Sequence, residues 1–221
     1  MKASASRFVK PVHFDGSAGR LEGLWDDPGR GLAPALILHP HPAHGGSMHS
    51  KVVYTVFRVL HQAGHPTLRF NFRGVGASQG SYSGWDGEVE DVGAAAGFVR
   101  RETGLTPILL SGFSFGSWVG SKWALTDPNV ERMILLGVPV DRNVDDRSFE
   151  HLTKLPAPTL IIQGERDKYG SPASVERLAE RLRAFGKVET RIIPGADHFF
   201  TGKLGPLEEA LKEGLAALDG A

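Results

Sequence analysis

Ser114 lies in the run Ile108-Leu109-Leu110-Ser111-Gly112-Phe113-Ser114-Phe115-Gly116. The aliphatic residues after Pro107 read as a buried strand, and Ser117 to Leu125 reads as a helix. The serine therefore falls on a sharp turn between them. Side chains two positions to either side would collide with the neighbouring strand and helix, and Gly112 and Gly116 remove them. A hydroxyl held this way suits nucleophilic attack, but serine is a poor nucleophile at neutral pH without a positioned base. His198, in Ile192-Ile193-Pro194-Gly195-Ala196-Asp197-His198-Phe199-Phe200, is the candidate base. Asp167, in Ile161-Ile162-Gln163-Gly164-Glu165-Arg166-Asp167, is a candidate to orient it. Asp141, Glu165 and Asp197 compete for that role. Asp197 adjoins His198 in the chain and suits a local turn, and Glu165 sits close to the end of its strand.

Three further histidines precede these: His39-Pro40-His41-Pro42-Ala43-His44. His-x-His-x-x-His can hold a metal pair, but that motif usually has Asp where this chain has Ala43, so no metal is expected. Gly74-Val75-Gly76 hints at a dinucleotide loop, but the third glycine it needs is replaced by Gln79. No organic cofactor is implied.

The elements that must position these residues alternate in type. Phe8 to Phe14 and Leu21 to Trp25, around the turn cluster 15–20, read as an antiparallel hairpin at a sheet edge. Strands follow at Ala35–Leu38, Thr67–Phe72, Ile108–Leu110, Met133–Leu136, Thr159–Ile162 and Val188–Ile193. Helical patterns occupy Lys51–Ala63 with Ser50 as N-cap, Asp86–Arg101, the stretch after Ser171-Pro172, and Leu204–Leu218. A short helical piece is read over His151–Leu155. Strand-helix alternation of this kind specifies an α/β fold with a mostly parallel sheet and helices on both faces. Asp167 and His198 then follow the carboxyl ends of their strands, on the rim that carries Ser114.

The combination of Gly-Phe-Ser-Phe-Gly, Gln-Gly-x-x-Asp and Gly-Ala-Asp-His resembles the α/β-hydrolase superfamily, in which the triad runs in the order Ser, acid, His. The likeness extends from about Leu36 to Phe200 and includes Asn71-Phe72-Arg73-Gly74-Val75-Gly76-Ala77-Ser78, expected to brace the neighbouring loop. His-Pro-His-Pro followed by Gly45-Gly46-Ser47-Met48 is similar to a small, lidless, esterase or dienelactone-hydrolase-like group. The resemblance implies Ser114 as nucleophile, His198 as base and Asp167 as acid, although some members place the acid where Asp141 stands. It also implies two oxyanion donors, the backbone N–H of Phe115 and one from the loop after Leu38. There Pro40 and Pro42 have no N–H, which leaves His41 between them.

The implied activity is hydrolysis of small or short-chain carboxylic esters. Thioesterase, acyltransferase and peptidase remain alternatives on the same triad, as does a non-catalytic binder on the same fold. Only residues 137–158 separate two successive strands where lipases insert a cap, with a charged run at Asp141–Arg147, so an open site is expected. Phe113, Val138, Phe199 and Phe200 are candidate pocket walls. The 221 residues read as a single domain, 1–221. Lys+Arg and Asp+Glu both number 25, so no net field draws nucleic acid or anionic membrane. With no cysteine, disulfides and thiolate chemistry are excluded. The first ten residues lack a signal-like apolar core, so a cytoplasmic location is expected. The partner expected is a small-molecule ester; the oligomeric state is left open, a homodimer included.

Overall fold

A computed structural model describes residues 9–141 and 149–219. Strands β1 (Lys10–Gly16) and β2 (Gly19–Asp26) form the antiparallel hairpin. They are followed by β3 (Ala35–Leu38), α1 (Lys51–Ala63), β4 (Thr67–Phe70), α2 (Asp86–Thr103), β5 (Ile108–Phe113) and α3 (Phe115–Ala124). The chain continues through β6 (Val130–Leu136), β7 (Thr159–Gly164), α4 (Pro172–Arg183), β8 (Val188–Ile193) and α5 (Leu204–Asp219). The eight strands form one sheet in the order β1-β2-β4-β3-β5-β6-β7-β8. From β4 onward all pairings are parallel.

Strand composition explains the layering. A strand covered on both faces can be apolar at every position, and β3 (Ala-Leu-Ile-Leu) is buried throughout. Its alternate residues serve different cores. Leu36 and Leu38 join a cluster with α2, α3 and α4; Ala35 and Ile37 join one with α1 and α5. In β5, Leu110 and Leu109 divide the same way, as do Ile161 and Ile162 in β7. Helices α1 and α5 thus cover one face of the sheet, and α2, α3 and α4 the other.

Several element ends differ from the expected ones. β4 stops at Phe70: Asn71 N–H still donates to the Glu22 carbonyl of β2, but Phe72 N–H is taken by the His39 ring. α3 begins at Phe115, directly after the serine, and α2 runs on to Thr103. The piece near His151 is a single turn of 3-10 helix, Phe149–His151. Ser50 precedes α1 without capping it through its side chain, whereas Ser171 caps α4 by accepting from Ser174 N–H. The charged run after Asp141 lies outside the described residues.

The sheet grows in both directions from β3. From β3 the chain passes through α1 to β4 on one side; from β4 it passes through α2 to β5 on the other. The helices after β3 and β5 lie on opposite faces, so the loops leaving these two strands diverge. A crevice opens above their carboxyl ends, where open α/β sheets bind ligands. Among the described residues, no helix is long and apolar enough to cross a membrane.

Candidate active site

Ser114 adopts φ 55° and ψ −116°, a conformation that L side chains rarely take. Its N–H donates to Leu136 of β6 at 2.8 Å, and its carbonyl accepts from Ser117 N–H at 2.9 Å. The flanking glycines are needed because backbone approaches backbone. A Cβ on Gly112 would lie 2.2 Å from the Gly116 oxygen, and one on Gly116 would lie 2.6 Å from the Leu38 oxygen. Three described non-glycine residues have positive φ, Trp85, Ser114 and Phe200, and all three line the same pocket. Local strain is concentrated where the surrounding structure aims side chains.

That pocket, of about 460 Å³, opens above the carboxyl ends of β3 and β5. Ser114 and His198 lie in its wall with Phe113, Phe199 and Phe200. Val138, expected to line it, is fully buried instead and packs in the core. Trp85 and Tyr169, which the sequence did not single out, take part in the wall.

Ser114, His198 and Asp167 come together from three strand ends. His198 Nε2 is 2.9 Å from Ser114 Oγ, and His198 Nδ1 is 2.7 Å from Asp167 Oδ2. A carboxylate only accepts, so Nδ1 carries the proton and Nε2 is left to accept from the serine hydroxyl. Asp167 and His198 are each 6 % exposed. Asp167 also accepts from Tyr169 N–H at 2.8 Å and from Gln163 Nε2 at 2.8 Å. The Tyr169 ring packs edge-on against His198, centroids 4.5 Å apart, and Phe113 flanks the imidazole at 5.3 Å.

The competing acids are engaged elsewhere. Asp141 accepts from Ser171 N–H at 2.6 Å, at the start of α4. Burial opposes its ionisation, but hydrogen bonds from Ser174 and Ser171 outweigh this and hold the carboxyl below its ordinary value. Asp197 accepts from Thr201 N–H at 2.8 Å and Phe199 N–H at 3.1 Å. The bond from Thr201 is the main reason its carboxyl is held low. Glu165 accepts from Gly195 N–H at 2.7 Å and so ties the turn after β7 to the turn after β8.

Opposite His198, the loop after β3 forms the other wall. His41 precedes a 3-10 turn, Pro42–His44, and its Nδ1 accepts from Ala43 N–H at 3.2 Å. Its ring packs on Phe115 (5.0 Å), Tyr82 (5.1 Å) and Trp85 (5.7 Å). His39 is fully buried, and both its nitrogens are engaged. Nε2 accepts from Phe72 N–H at 3.1 Å, which makes Nδ1 the donor to the Pro40 carbonyl at 2.6 Å. Burial, with a smaller push from His41, lowers its pKa to about 4, so it is neutral near pH 7. The loop closes tightly: a Cβ on Gly46 would lie 2.0 Å from the Pro40 oxygen.

The expected bracing segment does contact this loop. Asn71 Oδ1 accepts from Met48 N–H at 2.8 Å, and Asn71 Nδ2 donates to Glu22 at 2.7 Å. Arg73 then fastens the segment to α2 through Asp91, with Nη2 to Oδ1 at 2.7 Å and the backbone N–H to Oδ2 at 2.9 Å.

The family of α/β hydrolase domains matches residues 33–209. The chain belongs to the α/β hydrolase family. It is 36% identical over 212 residues to an uncharacterised protein of Rickettsia prowazekii, covering 94% of this chain and 89% of that one. A solved α/β-hydrolase-like protein of unknown function from Agrobacterium tumefaciens superposes with TM-score 0.88 at 34% identity, covering 96% of this chain and 97% of the other. A lidless α/β serine hydrolase from Xanthomonas campestris superposes with TM-score 0.83 at 32% identity, covering 98% and 97%. The elbow, the strand order and the crevice described above are thus those of an α/β hydrolase fold.

Proposed function

We propose that this α/β hydrolase cleaves small or short-chain carboxylic esters through an acyl-enzyme formed on Ser114. The observation that carries this reading is the unbroken relay from Ser114 Oγ through His198 to Asp167, at 2.9 and 2.7 Å, opening onto a pocket. In the proposed reaction His198 Nε2 takes the serine proton as Oγ attacks the ester carbonyl. Asp167 keeps Nδ1 protonated and stabilises the imidazolium that results. The oxygen of the tetrahedral intermediate is met by the N–H groups of Phe115 and His41. Phe115 opens α3, where first-turn amides have no intrahelical acceptor and the helix dipole favours negative charge. His198 then returns its proton to the leaving alkoxide as the C–O bond breaks, and water repeats the sequence to free the acid.

The short 137–158 connection and the pocket volume support small or soluble acyl groups. The continuous sheet supports reading residues 1–221 as a single domain. The decisive experiment is covalent labelling by a fluorophosphonate, with hydrolysis of p-nitrophenyl esters of graded chain length. The label is expected on Ser114, with rates highest for short acyl chains and no jump when substrate forms micelles. A protein that neither takes the label nor hydrolyses any of these esters is not a serine esterase.

A further inference from the structure

Behind the Asp167–His198 pair, at the end of a strand that is buried along its whole length, stands Gln163. A primary amide in such surroundings is costly unless its donors and acceptor are all satisfied. The way Gln163 satisfies them determines which end faces the acid. Its Oε1 accepts from Val138 N–H at 2.7 Å, which makes Nε2 the donor end, and Nε2 also lies 3.5 Å from the Val138 carbonyl. Nε2 donates to the Gly170 carbonyl at 2.7 Å and to Asp167 Oδ2 at 2.8 Å. That is the same carboxylate oxygen that accepts from His198 Nδ1–H. Val138 and Gly170 belong to the loops after β6 and β7, so one amide joins two sections of the rim. There is no slack between them: a Cβ on Gly170 would lie 2.0 Å from the Val138 oxygen and 2.9 Å from Gln163 Nε2.

We propose that Gln163 is a positioning residue for the acyl transfer: its amide locks the Asp167 carboxylate and sets how strongly that carboxylate holds the His198 proton. This rests on the reading that Ser114, His198 and Asp167 act as one unit. A hydrogen bond donated to a carboxylate stabilises its charge and draws electron density from the oxygen that accepts it. Without the Gln163 donor, Oδ2 has only His198 to satisfy it and becomes the stronger base. The imidazolium is then favoured, and the histidine is available as a base only at higher pH.

The test is the pH dependence of kcat/KM on a p-nitrophenyl ester for Gln163→Leu and Gln163→Glu, each corrected for active sites by titration. Gln163→Leu should move the acid limb up by about one pH unit. Gln163→Glu should move it less, because two carboxylates within hydrogen-bond distance resist ionising together and the one that keeps its proton can donate to Oδ2 as the amide does. Acid limbs unmoved in both variants, with losses confined to thermal stability or active fraction, overturn the proposal and leave Gln163 a packing residue. The parent protein supplies a second measurement should the variants fail to fold. The chain has three glutamines, Gln62, Gln79 and Gln163, so selective ¹⁵N-glutamine labelling resolves the buried amide. Its Nε2 resonance should titrate with the midpoint of the His198 ring, and a resonance flat through that titration also overturns the proposal. This spectrum is read without substrate. Inactivity of the parent towards esters would therefore sink the hydrolase reading while leaving Gln163 to be decided by the titration.

Discussion

The two walls of the pocket are built from different chemistry. On the side of β7 and β8, a buried carboxylate, an imidazole and an amide are joined by two short side-chain bonds, and a third runs from the imidazole to Ser114. On the side of β3, the loop is held by a neutral buried histidine, an asparagine and backbone amides. In the proposed reaction the first wall carries the groups whose charge changes. The second must present a fixed dipole, because its proposed role is to meet a charge that forms elsewhere. His39 suits such a wall. Burial keeps it uncharged, and it bonds to the backbone on both sides, donating from Nδ1 and accepting at Nε2. Histidine thus bridges Ser114 and Asp167 on one wall and is an inert strut on the other, and its surroundings decide which.

The largest effects should come from the relay. Ser114→Ala is expected to lower kcat by about 10⁶, His198→Ala by about as much, and the double variant by little more, because the pair act as one unit. Steady-state kinetics of the three proteins check this. Near-multiplicative losses would mean that the two residues do not share one step. Ser114→Ala should also fold normally by circular dichroism.

Next comes the acid. Asp167→Asn should keep the fold and cut kcat by about 10⁴, since Nδ1 loses its acceptor and the wrong tautomer is favoured. Asp141→Asn and Asp197→Asn should be far milder, because both accept from N–H groups outside the relay. A severe loss in Asp141→Asn, with Asp167→Asn still active, would move the acid role to Asp141.

The smallest effect belongs to the inert wall and concerns stability. His39 has a folded pKa of about 4 against an ordinary 6.5. The unfolded chain therefore takes up a proton in that window that the fold refuses. Stability from this group is complete above about pH 6.5 and is lost as pH falls, by about 3 kcal/mol in total once pH 4 is reached. Urea titrations between pH 7 and 4 should show this slope, and His39→Gln should flatten it. A slope unchanged in His39→Gln would show that other groups cause the acid sensitivity.

Much of the fold is legible along the chain because period and punctuation are local. The runs Ala35–Leu38 and Thr159–Ile162 reveal strands covered on both faces, and Ser171-Pro172 marks where α4 starts. The steric limit on Gly112 is set by Gly116, four residues on, and can be read locally, whereas the limit on Gly116 is set by Leu38 of β3, far away in the chain. Element ends are less legible. β4 stops at Phe70 because Phe72 N–H is taken by His39, 33 residues earlier, a competition no local window contains. The same holds for the cap that Ser50 does not make, and for Val138, whose side chain is buried in the core.

From the sequence alone one could place Ser114, Asp167 and His198 at the carboxyl ends of three strands, since that placement needs only strand ends and chain order. It could not say that their atoms lie within 2.9 Å, nor separate Asp167 from Asp141 by geometry. A glutamine ending the apolar run Thr159-Leu160-Ile161-Ile162-Gln163 was a visible signal of a buried polar group with partners to find, but those partners come from two separate loops. Trp85 and Tyr169 carried no signal, because an aromatic residue in a loop is equally consistent with core or surface. The tertiary structure decides these points because hydrogen bonds and burial depend on distances across the chain, whereas hydrophobic period depends only on neighbours.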